Sequence, residues 1–397
     1  MAKILVMKRI LVLSVVASLA LTLNLSTASA AVKAGDTCKK VGQVSTSKGF
    51  KYTCVKSGKK TIWNKGVRTP TATPTPTPAP APAPAPAKAL TIDNLDYEQV
   101  YLKSRAEVAK YVANGVSSEG VIDFQIGANV EAWRIEIGKT EVNSAVKLWS
   151  SFFKPSSATI IWYSSKDIPW AKTRYEAAGG NPAWASGFTG CTSQYCGNAS
   201  ASLMGGGKFL FEQGLEFQDQ GLWNRSTAAH EYTHLAQFGL SNPASLNSLP
   251  WWSVEGGAQF YGEAIGYTPF DSAKQARSGM HTQYMLDSQA HIASLFPGQN
   301  LKSLLQKNDS AVTTTLMKSI EVSSNAPGAL GLSYHLGSYA TEVLVAVYGH
   351  EKMAKFYSSF ATSSNYESNF SNVFGITVDT FYVKLAPYLA SMSAELK

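Results

Sequence analysis

The stretch AAHEYTHLAQF, residues 228–238, places His230 and His234 four residues apart, with Glu231 directly after the first. Residues at i and i+4 leave the same face of a helix, so both imidazoles can reach one metal ion. Glu231 then points about 100° away from His230, beside such an ion but not bound to it. From there its carboxylate can take a proton from a water molecule. The alternative is a helix, capped by Ser226, whose two histidines only help to pack it.

A zinc site of this type needs a third protein ligand, and the stretch SLPWWSVEGGAQFYGE (248–263) offers Glu255. The pattern predicts a second helix with Ser253 as its N-cap and Glu255 in its first turn. The two glycines that follow would let another helix approach closely. Glu255 comes 21 residues after His234, which is enough for a loop and an antiparallel return. Glu263 is the alternative ligand, or an acceptor for a ligand imidazole.

On these residues the chain resembles the gluzincin metallopeptidases, the group that includes thermolysin and the zinc aminopeptidases. Residues 230–234 match the HExxH motif of the group, and WSVEGGA (252–258) matches its W-x-x-E-G-x-A helix. The resemblance implies one zinc ion held by His230, His234 and Glu255, with Glu231 as general base. It also implies peptide hydrolysis and a two-lobed α+β domain. A metzincin would have histidine at position 240, where this chain has leucine.

A third similarity begins at Tyr334, in YHLGSYATE. Tyr334-x-x-Gly337 resembles the tyrosine of the aminopeptidase branch, which stabilises the oxyanion. His335 and Tyr339 are alternatives for the same role. A tyrosine at a helical position is also a common half-buried core residue with its hydroxyl at the rim.

One feature of the aminopeptidase branch is missing. Its Gly-x-Met-Glu-Asn strand, which holds the free amine of the substrate, has no match in MGGGKFLFEQG (204–214). The resemblance therefore does not extend to aminopeptidase activity. The strand at 207–212 could still bind a peptide by edge addition, through its backbone. The glycine-rich segment 187–207 is either a wall of the cleft or an ordinary surface loop.

The first thirty residues predict a signal peptide. Lys3, Lys8 and Arg9 precede an apolar run of 16 residues (10–25), and Ala-Ser-Ala at 28–30 is a small-residue cleavage pattern. An uncleaved membrane anchor is the alternative, although the run is short for a spanning helix. We therefore expect a secreted, extracellular protein, for which association with the cell wall is one possibility.

The four cysteines fit an exported protein, in which disulfides persist. We expect the pairs Cys38–Cys54 and Cys191–Cys196, because each pair lies within one module. A zinc site made of all four thiolates is the alternative.

Residues 31–68 predict a small disulfide-stapled β module, with strands around GFKYTCVK and KKTIWNK. It resembles the short Cys-paired modules near the N-termini of secreted actinobacterial proteins, which implies no activity. The module holds ten basic residues against Asp36 alone. It could tether the protein to an anionic cell-wall or surface polymer, or to a membrane surface; the alternative is a positive face that only aids solubility.

The net charge of +8 is unevenly divided along the chain. Residues 89–397 carry 21 basic and 26 acidic residues, so the high isoelectric point does not describe the large domain. We expect no nucleic-acid partner and a monomer.

The segment TPTATPTPTPAPAPAPAPA within 69–89 predicts an extended polyproline linker, which at this length reaches roughly 60 Å.

Residues 90–397 form the predicted catalytic domain. Strands come first and helices later, which predicts an α+β domain. The predicted strands are 121–127, 158–165 and 208–213; the predicted helices are 96–115, 140–153, 226–239, 253–265, 282–295, 300–322, 333–360 and 377–390.

Three functions remain open at this point. The first is a secreted zinc metallopeptidase. The second is a non-catalytic cell-wall-binding protein whose metal is structural. The third keeps the same metal site but hydrolyses another amide, such as a peptidoglycan crosslink.

Overall fold

The computed structural model describes residues 31–69, 89–117, 121–183, 185–192, 196–204, 207–216, 225–242, 247–267, 270–323, 326–394 and 396. The predicted signal peptide (1–30) and nearly all of the predicted linker (69–89) lie outside these residues. The chain divides into two compact units, Met1–Ala85 and Pro86–Lys397.

The first unit is an antiparallel β module. Its strands are β1 (Val44–Ser47), β2 (Phe50–Ser57), β3 (Lys60–Trp63) and β4 (Val67–Arg68). All three others pair with β2, and a Cys38–Cys54 disulfide closes the module, as predicted. Its core is small: Cys38, Cys54 and Trp63 are buried, with Val32 and Tyr52 packed against them.

The second unit contains a mixed four-stranded sheet. The strands are β5 (Ile122–Ile126), β6 (Ser157–Tyr163), β7 (Ala199–Leu203) and β8 (Lys208–Gly214), in the order β5-β6-β8-β7. The first three in this order run parallel, and β7 is antiparallel to β8. The prediction of an edge strand at 207–212 is wrong, because β8 pairs with β6 on one side and with β7 on the other, and the outer strands are β5 and β7.

Helices make up most of the rest of this unit, which confirms the α+β class. They are α1 (Tyr97–Asn114), α2 (Ala132–Trp149), α3 (Ile168–Ala177), α4 (Ser186–Thr189), α5 (Thr227–Leu240), α6 (Trp251–Gly266), α7 (Phe270–Asp287), α8 (Gln289–Leu295), α9 (Leu301–Gln306), α10 (Ser310–Lys318), α11 (Ala329–Tyr348), α12 (His350–Ser359), α13 (Tyr366–Phe374) and α14 (Val378–Ser393). Among the described residues, none of these helices is both long enough and apolar enough to span a bilayer.

Local signals explain where several helices begin and end. The α1 helix begins after Asp96, whose carboxylate accepts a hydrogen bond from the Gln99 amide, and it ends before Gly115. The predicted helix 333–360 is two helices, because Gly349 takes a positive φ of 88° between α11 and α12. The predicted helix 300–322 is likewise divided at Asn308, which has a φ of 52°.

The helix α6 packs between α5 and α11 and is the centre of the second unit. Two buried glycines, Gly256 on α6 and Gly337 on α11, meet where the helices cross. A Cβ atom added to Gly256 would lie 2.2 Å from the backbone carbon of Gly337. On the side of α6 that faces α5, a Cβ atom on Gly262 would lie 2.6 Å from the Ser226 carbonyl oxygen. Close backbone contact on both sides therefore fixes the three helices relative to one another.

Candidate metal centre

The structure brings His230, His234 and Glu255 together as one group that could hold a metal ion. The two Nε2 atoms lie 3.0 Å apart, and the Glu255 Oε2 atom lies 3.7 Å from the first and 3.6 Å from the second. Two ligands bound at about 2.0–2.1 Å to one tetrahedral ion lie roughly 3.3–3.4 Å apart, which falls within this range. All three side chains are largely buried. The spacing and the donor types therefore fit a divalent transition metal.

The helix α5 holds the two histidines, and its N-terminus is capped from another helix. Ser226 occupies the N-cap position, but its side chain makes no capping hydrogen bond. Glu141 of α2 does so instead: its Oε2 atom accepts from the Ala228 amide at 3.1 Å. Burial raises the pKa of the Glu141 carboxyl well above its usual value, and the hydrogen bonds from the α5 backbone act against this rise. A contact between helices, which the spacing along one helix cannot reveal, therefore replaces the predicted local cap.

Glu255 comes from the second turn of α6. The prediction that Ser253 caps this helix is wrong, because α6 begins at Trp251 and the Ser253 hydroxyl donates to the carbonyl of Pro250. Burial raises the pKa of the Glu255 carboxyl, but the imidazoles of His234 and His230 outweigh it and hold that pKa below its usual range. The carboxylate is therefore ionised beside both histidines, as a metal ligand must be.

Gln237 fixes the orientation of His234. Its amide nitrogen faces the carbonyl oxygens of Ser253 at 3.1 Å and Val254 at 3.0 Å, which can only accept. Its amide oxygen must therefore face the Nδ1 atom of His234, 2.8 Å away, and accept a hydrogen bond from it. A proton on Nδ1 leaves the Nε2 lone pair free for a metal. Gln237 thus connects α5 to α6 and sets the tautomer of one ligand.

A second amide supports the other histidine. Gln259 hydrogen-bonds His230, and its amide nitrogen donates to Glu263 at 2.9 Å. Glu263 is fully buried and lies 3.2 Å from the Nε2 atom of His281. It is not part of the ligand group, and its contacts are with Gln259 and His281, not with a ligand imidazole. Both ligand histidines are therefore held by neutral amides.

Glu231 and Tyr334 face a cleft of about 700 Å³ beside the ligand group. Burial raises the pKa of the Glu231 carboxyl to about 8. A divalent cation bound at the three ligand atoms would lower this pKa. Tyr334 lies against His230, with 5.8 Å between the ring centroids, and its hydroxyl hydrogen-bonds Glu255. Both side chains can therefore reach a molecule bound at the metal position.

His335 lies elsewhere. It is fully buried on α11, its Nδ1 atom is 3.0 Å from the Nδ1 atom of His281, and it does not line the cleft. Tyr339 stacks on His281 within the same buried group. Of the three residues predicted as alternatives for one role, only Tyr334 faces the cleft. His281 is buried as well.

The edge strand β7 forms one wall of the cleft through Ala199, Ser200 and Ala201. A buried carboxylate that the sequence did not single out holds this wall. Glu212 of β8 accepts hydrogen bonds from the Ser200 hydroxyl at 2.7 Å, from the Gly187 amide at 3.0 Å and from the hydroxyl of Tyr163. Glu212 thus connects β6, β7 and β8 with the segment that precedes the Cys191–Cys196 disulfide, which is formed as predicted.

With both cysteine pairs oxidised, a zinc site made of four thiolates is excluded.

Comparison with models of protein families, with curated proteins and with solved structures finds no match for this chain. What the centre does must therefore be judged from its own residues.

Proposed function

We propose that the protein is a secreted zinc metallopeptidase with a two-lobed, gluzincin-like catalytic domain. The observation that carries this proposal is the arrangement in the lining of an open cleft. There the three ligand atoms lie 3.0–3.7 Å apart, and Glu231 lines the cleft beside them. A bound zinc ion would acidify a water molecule and polarise the carbonyl of the scissile bond.

The side chains of the chain perform the proton transfers. The Glu231 carboxylate accepts the proton of the attacking water and passes it to the nitrogen of the leaving amine. The hydroxyl of Tyr334, which also lines the cleft, donates a hydrogen bond to the oxygen that becomes negatively charged. Glu255 and the two histidines stay in place during these steps, because Gln237 and Gln259 hold the imidazoles.

The substrate is a peptide in extended conformation. Strand β7 can contact the backbone of such a peptide, since Ala199–Ala201 line the cleft beside the ligand group. Apolar side chains such as Leu249, Val254 and Leu330 line other parts of the cleft and can contact the side chains of the substrate.

The substitution Glu231→Gln tests the proposal. It removes the proton acceptor but none of the three ligands, so the variant should retain zinc at the wild-type stoichiometry and lose at least about a hundredfold in turnover. Zinc content is measured by metal analysis and turnover with a library of internally quenched peptides. The variant Glu255→Ala is the control and should lose both zinc and activity. A fully active Glu231→Gln enzyme would end the assignment.

The two alternatives predict different results. A structural zinc is usually bound by four protein ligands, whereas the described residues supply three and leave an open cleft beside them. This favours a catalytic metal. A hydrolase of peptidoglycan crosslinks would have the same metal content but would cleave purified cell-wall fragments faster than linear peptides.

A further inference from the structure

The first unit has two different sheet faces. Antiparallel partners point to the same side of a sheet, so Cys54 and Trp63 share the face that forms the core. The pairs Val55↔Ile62 and Lys51↔Val67 share the opposite face. On that side Val55 is 37% exposed and Val67 is 68% exposed. We name this side the valine–lysine face; its members are Val44, Lys51, Val55, Lys60 and Val67.

The module carries a large excess of positive charge. All ten of its lysine and arginine residues are exposed, and Asp36 is its single acid. Within the described residues 31–69, no basic side chain forms a salt bridge. A small body with so many uncompensated cations attracts polyanions from solution.

The spacing of two lysines on this face favours an elongated partner. Lys60 pairs with Ser57, which follows Lys51 by six residues along β2. At about 3.4 Å per residue, Lys51 and Lys60 lie about 20 Å apart along the strand. A single small anion cannot contact both, whereas a linear polymer lying along β2 can. Val55 lies between them and presents a surface without competing charge.

We infer that the valine–lysine face binds a linear polymer of phosphate groups, with Lys51 and Lys60 each contacting a phosphate. The lysine ammonium group is a compact charge that suits phosphate oxygens. An anionic bilayer is less favoured as the partner, because Trp63 is buried in the core and the exposed apolar residues of this face are valines. The inference does not depend on the metal centre of the second unit.

The test compares two charge-matched double variants of the full chain. Lys51→Glu/Lys60→Glu changes the face, and Lys39→Glu/Lys65→Glu makes the same change of charge in bends outside the strands. Binding to linear polyphosphate is measured over a salt series. The face variant should bind at least about tenfold more weakly. The slope of the logarithm of its binding constant against the logarithm of the salt concentration should become shallower by roughly 0.7–0.9 for each lost phosphate contact. The matched variant should bind within about threefold of wild type.

Three results would overturn the inference. Equal weakening by the two double variants would mean that only the total charge matters. Tighter binding to phosphatidylglycerol vesicles than to polyphosphate, at equal phosphate concentration, would identify a membrane as the partner. Absence of binding to polyphosphate at about 50 mM salt, where such contacts are strong, would leave the face without this partner. Protease resistance of residues 31–69 in each variant shows that the module is still folded.

Discussion

Gln237 shows how one uncharged side chain can prepare a metal ligand. Its amide nitrogen is committed to the carbonyl oxygens of α6, so its oxygen can only accept from the Nδ1 atom of His234. Partners of this kind typically change metal affinity by 10–100-fold. The effect should be larger here than at an exposed ligand, since Gln237 is itself fully buried.

We predict that Gln237→Leu weakens zinc binding by roughly 10–100-fold, because Nδ1 loses its acceptor and the ring is no longer held. Gln237→Glu keeps an acceptor for Nδ1 but loses the donation to Ser253 and Val254, and it should retain more of the affinity. Competition with a fluorescent zinc chelator measures both. If the two variants bind zinc as tightly as wild type, Gln237 does not position His234.

At the level of residues, the sequence predicted the ligand group but not the residues that hold it. The histidine spacing and the Trp-x-x-Glu-Gly helix are local patterns, so His230, His234 and Glu255 could be named in advance. Gln237 lies three residues after His234 on the same helix face and could have been found by that spacing. Glu141 and Glu212 could not, because each contacts a residue that is far away in the sequence, Ala228 and Tyr163 respectively.

The crossing of α6 and α11 determines where Glu255 and Tyr334 meet. Each helix contributes a glycine to the contact, and a Cβ atom on Gly337 would lie 2.2 Å from the Trp252 carbonyl oxygen. Glu255 directly precedes Gly256, and Tyr334 lies one turn before Gly337. The close approach of the two backbones therefore sets the position of both functional side chains.

We predict that Gly256→Ala destabilises the second unit by about 1–3 kcal/mol, because the two backbones must separate to admit the methyl group. At an exposed position of a helix, the same change would stabilise the protein by about 1 kcal/mol. A loss of stability would therefore indicate that the two backbones are in close contact at Gly256. Zinc affinity should fall together with the thermal midpoint, since Glu255 moves with the helix. A stabilised variant with unchanged zinc affinity would contradict this account of the crossing.

Glu212 makes the wall of the cleft sensitive to pH. Burial raises the pKa of its carboxyl from 4.5 to about 7. Between these values the folded chain retains a proton that the unfolded chain has released, so stability falls as the pH rises through this interval. The loss is complete above the folded-state pKa and amounts to about 3 kcal/mol for a shift of this size.

We predict that Glu212→Gln removes this pH dependence. The variant should gain stability relative to wild type as the pH rises from about 5 to about 8, since glutamine cannot ionise. The thermal midpoints of both proteins are measured in the same buffers. The contributions of the other titrating groups then cancel in the difference between the two midpoints. Glu176→Gln, at an exposed position of α3, is the matched control and should follow wild type. A constant difference between Glu212→Gln and wild type over this range would contradict the prediction.

Elements whose sequence carries its own pattern were predicted, and those defined by neighbours were not. The α1 helix has both its cap and its terminating glycine. The β7 strand is ASASL, whose small residues lack a strand pattern, and it is fixed by its pairing with β8. The predicted helix at 140–153 covers only the second half of α2, which begins at Ala132 and packs its Gly138 against the ring of Trp162.

On the scale of the whole molecule, charge and core size differ between the two units. The second unit has a large core built from its helices and one face of its sheet. The first unit buries little more than Cys38, Cys54 and Trp63. A body of this size rarely folds on its hydrophobic core alone, so the disulfide should provide most of its stability. Closing a loop of this length contributes about 3 kcal/mol.

We predict that the double variant Cys38→Ser/Cys54→Ser unfolds the first unit and leaves the metal centre unchanged. Hydrogen exchange should show loss of protection at residues 31–69, because that core cannot offset the entropy of the open chain. Zinc content and peptide hydrolysis should stay at wild-type values, since the second unit has its own core. The reciprocal control, Cys191→Ser/Cys196→Ser, should loosen the segment beside β7 and leave the protection of residues 31–69 unchanged. Loss of zinc in the first variant would show that the two units are not independent, and the metal centre would then have to be considered a property of the whole chain.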